Sequence, residues 1–94
     1  MQITIRGKRW NLLFRKMRDG SLGKCDSPEA TNKKIVVNPH QSGVDVLGTL
    51  IHEMMHAAHW DLDEEAIDTT SVDIARVLWK LGYRVVENDQ NNDN

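Results

Sequence analysis

Residues Leu50–Asp68 read LIHEMMHAAHWDLDEEAID, two histidines around a glutamate inside an apolar run, followed by a third histidine and a cluster of acids. The apolar spacing predicts a helix opening at Ser42, with Asp45 three residues on as a variant capping box, and running to about His59. At about 100° per residue, Leu47, Leu50, Ile51, Met54 and Ala58 share one face, and His52 and His56 fall nearly opposite it, one turn apart. The WDLD segment breaks that helix, and Asp63 is a good N-cap for a second one ending near Gly82. Ile67, Ile74, Leu78 and Leu81 mark the core face of the second helix.

A single histidine in such a run reads as a hydrogen-bonded core residue. Two at i and i+4, off the apolar stripe and with Glu53 between them, read as metal ligands: both imidazoles can reach one ion at about 2.0–2.1 Å, and neutral imidazole suits zinc. His52-Glu53-Met54-Met55-His56 is HExxH, the zincin motif of zinc-dependent metallopeptidases. The spacing serves the chemistry, since Glu53 sits beside the metal's open position, where it can take a proton from water and later pass it to a leaving amine.

A catalytic zinc usually takes three protein ligands. His59 is nearest in sequence, but His52, His56 and His59 would form a column about 10 Å long on one helix, poorly placed around a single ion. In the longer metzincin motif a glycine turns the chain before a third histidine; here His59 occupies that glycine's place and no histidine follows. His59 is therefore expected to be a helix-end residue favoured by the dipole. Glu64 lies about 60° from Ile67, at the border of the second helix's core face, whereas Glu65 lies about 160° away with Arg76 and Lys80. Glu64 is the preferred third ligand. Asp68, one turn further on, could hold the other ring nitrogen of a histidine ligand.

HExxH followed by a helix bearing Glu-x-x-x-Asp is similar to the gluzincin branch of metallopeptidases. That resemblance implies Glu64 as a zinc ligand and Asp68 as the partner of His52. More closely, GKCDSP, KIVVN and LIHEMMHA…LDEEAID…IARVLWKLGYR resemble small phage and bacterial metallopeptidases of SprT-like or minigluzincin type, over most of residues 20–84. Two departures stand out. Seven residues separate His56 from Glu64, fewer than in thermolysin-like enzymes, which keeps Glu65 and Asp61 as alternative ligands. The second lobe that usually forms the far wall of the cleft is lacking, so substrate binding is expected to be shallow and activity weak or very selective.

The rest of the chain supplies a frame. QITIR and WNLLFRKM around a Gly-Lys turn predict a hairpin, RDGSLGKCDSPEATN a loop with a short strand near Leu22–Asp26, and KKIVVN a further strand ended by Pro39. Strands followed by two helices imply a compact α+β zincin-like domain over 1–86, a small antiparallel sheet packed on the HExxH helix, with 87–94 as a disordered polar tail. KKIVVN is the expected edge strand for an extended substrate, as the resemblance implies. Net charge is −2, with nine Lys/Arg against three Asp/Glu up to Lys34 and three against eleven after it. Nothing there pulls the whole chain toward nucleic acid or membrane, although the basic first third could touch phosphate. The lone Cys25 excludes an internal disulfide and favours a reducing compartment. With no signal-peptide stretch or membrane span, a cytoplasmic monomer is expected.

Trp10, Trp60 and Trp79 are expected as core or rim anchors, and Tyr83 and Cys25 as packing residues. Gly48, one turn before His52, leaves room near the metal or allows close packing. The expected activity is hydrolysis of peptide or protein substrates with Zn²⁺ held by His52, His56 and Glu64 and with Glu53 as general base and acid. The alternative is a non-catalytic zinc-stabilised binding module.

Overall fold

The computed structural model describes residues 1–86; the expected polar tail lies outside them. Strands β1 (Gln2–Ile5), β2 (Lys8–Phe14), β3 (Gly23–Cys25) and β4 (Lys34–Val37) precede helices α1 (Gly43–Ala58) and α2 (Glu64–Lys80). The class is α+β. β1 and β2 form the expected hairpin, with Ile5 opposite Lys8 and a two-residue turn in which Arg6 and Gly7 both have positive φ, the backbone that matches strand twist.

The sheet is mixed, not antiparallel throughout. Its order is β1-β2-β4-β3, with β4 parallel to β2 and antiparallel to β3. The apolar run of β4 explains the difference: Ile35, Val36 and Val37 are all buried, and a strand buried on both faces belongs in the interior of a sheet. KKIVVN is therefore not the edge strand. The short β3, with a lysine at its centre, takes the edge beside α1, a form that suits an exposed margin.

One sheet face carries Trp10, Leu12, Ile35 and Val37, which bury against Val46 and Ala57 of α1, with Ile3, Ile5, Phe14, Cys25 and Leu50 packed around them. The sheet-facing row of α1 is thus Val46, Leu50, Glu53 and Ala57; of the expected stripe, Leu47 is buried and Leu50 packs on the core, whereas Met54 is exposed. The helix is packed on two sides, by the sheet and by α2. Its apolar residues average to a direction between them, and the opposite flank is left for His52, His56 and Thr49.

α2 meets α1 through small residues. Ile67, Ser71 and Ala75 are buried, the Ser71 hydroxyl donates to the Ile67 carbonyl, and a Cβ at Gly48 would meet Ala75 Cβ at 3.6 Å. Ile74 and Leu81, expected in the core, are exposed, because close approach at Ser71 and Ala75 turns them outward. Trp79 lies across Gly43 so closely that a side chain there has no space.

The helix ends are built unequally. Asp63 caps α2 by accepting from the Ala66 amide at 3.1 Å. Gly82, at φ 95°, closes it: Gly82 N–H donates to Trp79 O and Tyr83 N–H to Leu78 O. Ser42 stands at the α1 N-cap without a side-chain cap bond, and the expected capping box with Asp45 does not form. Polar contacts there run through Gln41, whose amide donates to Asn38 O and whose Oε1 accepts from Thr49 Oγ1.

Candidate metal centre

His52 and His56 leave α1 one turn apart and face the first two turns of α2. His52 Nε2 lies 3.1 Å from His56 Nε2 and 3.1 Å from Glu64 Oε1, and His56 Nε2 lies 3.2 Å from Glu64 Oε2. Behind them, His52 Nδ1 lies 3.0 Å from Asp68 Oδ1. An N–H given to Asp68 places that ring's proton on Nδ1 and leaves a lone pair on Nε2. The Nε2 atoms of both rings and the Glu64 carboxylate converge on one place, an arrangement that a cation could share.

Its dimensions are those of a group that could hold a metal ion. Ligand atoms on a tetrahedron with bonds of 2.0–2.1 Å stand about 3.3–3.4 Å apart. One atom from each of His52, His56 and Glu64 lies within 4.8 Å of the others, with the two carboxylate oxygens of Glu64 divided between the histidines. His52, His56 and Glu64 are the group that could hold a metal among the described residues. Both histidines are half-buried, whereas Glu64 and Asp68 are largely exposed, so the group opens to solvent on the α2 side.

The alternative ligands stay apart from this group. His59 is the C-cap of α1, its amide bonded to Met55 O; Asp61 lines a separate groove; and Glu65 is exposed on α2. Register decides between the neighbouring acids. With Ile67, Ser71 and Ala75 facing α1, Glu64 falls on the same side and Glu65 on the far side.

Glu53 lies on the sheet-facing row, 8% exposed. Burial pushes its carboxyl up to about 7; the neighbouring His56 opposes the shift and Glu64 adds to it. The inner face of β3 presses on it: a Cβ at Gly23 would lie 2.7 Å from Glu53 Oε2 and 2.6 Å from Thr49 Cγ2. Cys25, two residues along, holds its thiol proton more tightly, pushed up to about 12 by burial and then by the charges of Glu53 and Asp26.

His52 and Glu53 open onto a groove of about 760 Å³ between the edge strand, α1 and α2, walled by Leu22, Gly23, Val44, Thr49 and Val72. Among the described residues β3 pairs only with β4, so by strand alternation the N–H and C=O groups of Gly23 and Cys25 face its open side. Gly23, Thr49 and Leu22 escaped the sequence reading, because nothing local says which loop residues come to lie over a helix. Tyr83 is exposed beyond the end of α2, away from this cleft, and so is not the packing residue expected; Trp60 stands at the rim, exposed and edge-on to His56.

The arrangement can bind a divalent cation, hold a carboxyl group beside it and present an open strand edge to an extended chain. No helix among the described residues is long and apolar enough to cross a membrane. Comparison of the chain with protein-family models, curated proteins and solved structures finds no match.

Proposed function

We propose that the protein is a small zinc-dependent peptidase of zincin-like fold and gluzincin type, close in character to SprT-like or minigluzincin proteins. The observation that carries this reading is the triangle of His52, His56 and Glu64 set beside the buried Glu53 on one open cleft. Zinc bound there supplies Lewis acidity, polarising a carbonyl and making a water acidic near neutral pH.

The chain's own residues supply the rest. Asp68 orients the His52 ring through Nδ1. Glu53 takes the water's proton at its carboxylate and returns it to the leaving amine. An extended peptide lies along the open side of β3, whose Gly23 and Cys25 backbone groups pair with it. The sequence expectation for β4 is thereby moved one strand outward.

A non-catalytic reading is supported by one feature: the two ligands on α1 and the one on α2 make the ion a clamp between helices. Metal content of protein purified without added zinc, with cleavage of a diverse peptide library by wild type and Glu53→Gln, separates the two. One zinc per chain with hydrolysis lost in the variant is the expected result. Zinc without hydrolysis in either protein leaves the clamp, and protein that refuses zinc overturns both.

A further inference from the structure

α2 carries more apolar surface than its own packing uses. Ile67, Ser71 and Ala75 are buried, while Ile74, Val77 and Leu81 stand open at 41%, 58% and 68% exposure. With Thr70 they recur at intervals of four, three and four residues, the spacing of a seam that seats another helix. Single apolar residues scattered on a surface are ordinary; a row of them along one helix marks a contact face.

The row faces away from the metal centre. At about 100° per residue its centre lies about 160° around α2 from Asp68 and Val72, which border the cleft. On α1, Met54 is exposed at 36% and lies about 160° around that helix from His56. The back of the helix pair is thus apolar on both helices, and a partner seated there leaves the cleft open.

Charge identifies the occupant. One margin of the row is Ser71 and Leu78, on the α1 side of the helix. The other is Asp73 and Lys80, an acid and a base seven residues apart. Among the described residues neither has an ion-pair partner. A second α2 can lie antiparallel against the first, with a two-fold axis at the level of Ala75 and Arg76. Ile74 then sits on the partner's Val77 and Thr70 on the partner's Leu81. The same register brings Asp73 beside the partner's Lys80, and symmetry makes each contact twice. A foreign helix would need this apolar spacing with both charges in reverse order; a second copy of the chain carries them already.

We infer that the Thr70, Ile74, Val77 and Leu81 face of α2 docks on the same face of a second copy of this chain, antiparallel about a two-fold axis, in place of the expected monomer. The seam is about 17 Å long. That is short for a standard interface, so the dimer is reversible and forms in the micromolar range or above. It leaves both metal centres facing outward, and it stands whether or not the chain cleaves peptides.

The test is sedimentation of the full chain from about 5 µM to about 1 mM, with and without a chelator. Monomer at the low end should pass into dimer toward the high end, equally in both buffers. Val77→Asp should abolish association, while its thermal unfolding at low concentration stays close to that of wild type. Asp73→Lys and Lys80→Asp should each weaken association at least about tenfold, because two attractive pairs per dimer become two repulsive ones. An equimolar mixture of these two variants should recover it to within about threefold of wild type, since their charges are complementary across an antiparallel seam. The charge variants decide the matter even if Val77→Asp does not fold. Protein that stays monomeric throughout, a dimer untouched by Val77→Asp, or a mixture no stronger than its components overturns the inference. So does a dimer that disappears with chelator, because the metal and not the seam would then join the copies.

Discussion

His52 and Asp68 meet across the α1–α2 interface, ring Nδ1 to carboxylate Oδ1, at 3.0 Å. The contact fixes the imidazole from behind while Nε2 points to His56 and Glu64. It also joins the first helix to the second through a group outside the apolar core. The orientation of the His52 ring and the docking of the two helices are therefore coupled at this point.

Substitutions along α2 should grade zinc affinity. Glu64→Ala, which removes the oxygens facing both histidines, should weaken it at least about 100-fold, and Asp68→Ala about 10-fold, because the ion keeps its ligands while His52 loses orientation. Glu65→Ala should change it little. Competition titrations with a zinc chelator measure all three, and a larger loss for Glu65 than for Glu64 would contradict the register of α2.

Glu53→Gln should alter the pH dependence of stability as well as activity. A folded-state pKa near 7, raised above the ordinary carboxyl value of 4.5, means the folded protein binds this proton more tightly. Stability of metal-free protein from this group is then full below about 4.5, falls as pH rises and is lost above about 7. The glutamine variant lacks that decline. Urea unfolding at pH 5 and pH 8 should show the wild type losing more stability between the two than the variant; equal losses would show that Glu53 is not held protonated by burial.

Two glycines should respond in opposite directions. Gly23→Ala sets a methyl against Thr49 and Glu53 at 2.6–2.7 Å, and overpacking of that kind costs about 1–3 kcal/mol. Gly48→Ala meets Ala75 at an ordinary 3.6 Å and removes a helix-interior glycine, so it should be neutral or stabilising by up to about 1 kcal/mol. Thermal unfolding of the two variants checks the pair. A stable Gly23→Ala would mean that β3 does not press on Glu53.

Cys25 should be slow to react. With its thiol pushed up to about 12, the thiolate at pH 8 is scarce, and modification by a disulfide reagent should be at least about 100-fold slower in the folded protein than in denaturant. Glu53→Gln should speed it, since one of the charges that raises the thiol pKa is gone. Equal rates folded and unfolded would place Cys25 outside the core edge.

Much of this architecture is written in local pattern. The β1–β2 hairpin follows from a turn that tolerates positive φ, α2 from Asp63 at one end and Gly82 at the other, and the juxtaposition of His52 with His56 from the helical repeat alone. Such features depend on residues a few positions apart, whose geometry the backbone sets.

Tertiary packing decided the rest. Which strand lies at the edge depended on β4 being covered on both faces, a matter of what surrounds it. Which face of α1 meets the sheet depended on two packing partners whose directions the apolar pattern averages into one. The approach of Glu64 and Asp68 to His52, and of Gly23 to Glu53, joins segments whose relative placement comes from small residues at a helix crossing and from strand register. Gly23 and Glu53 lie thirty residues apart and no short stretch holds both, whereas Leu50–Asp68 holds His52, Glu64 and Asp68 together and leaves their approach to the helix crossing.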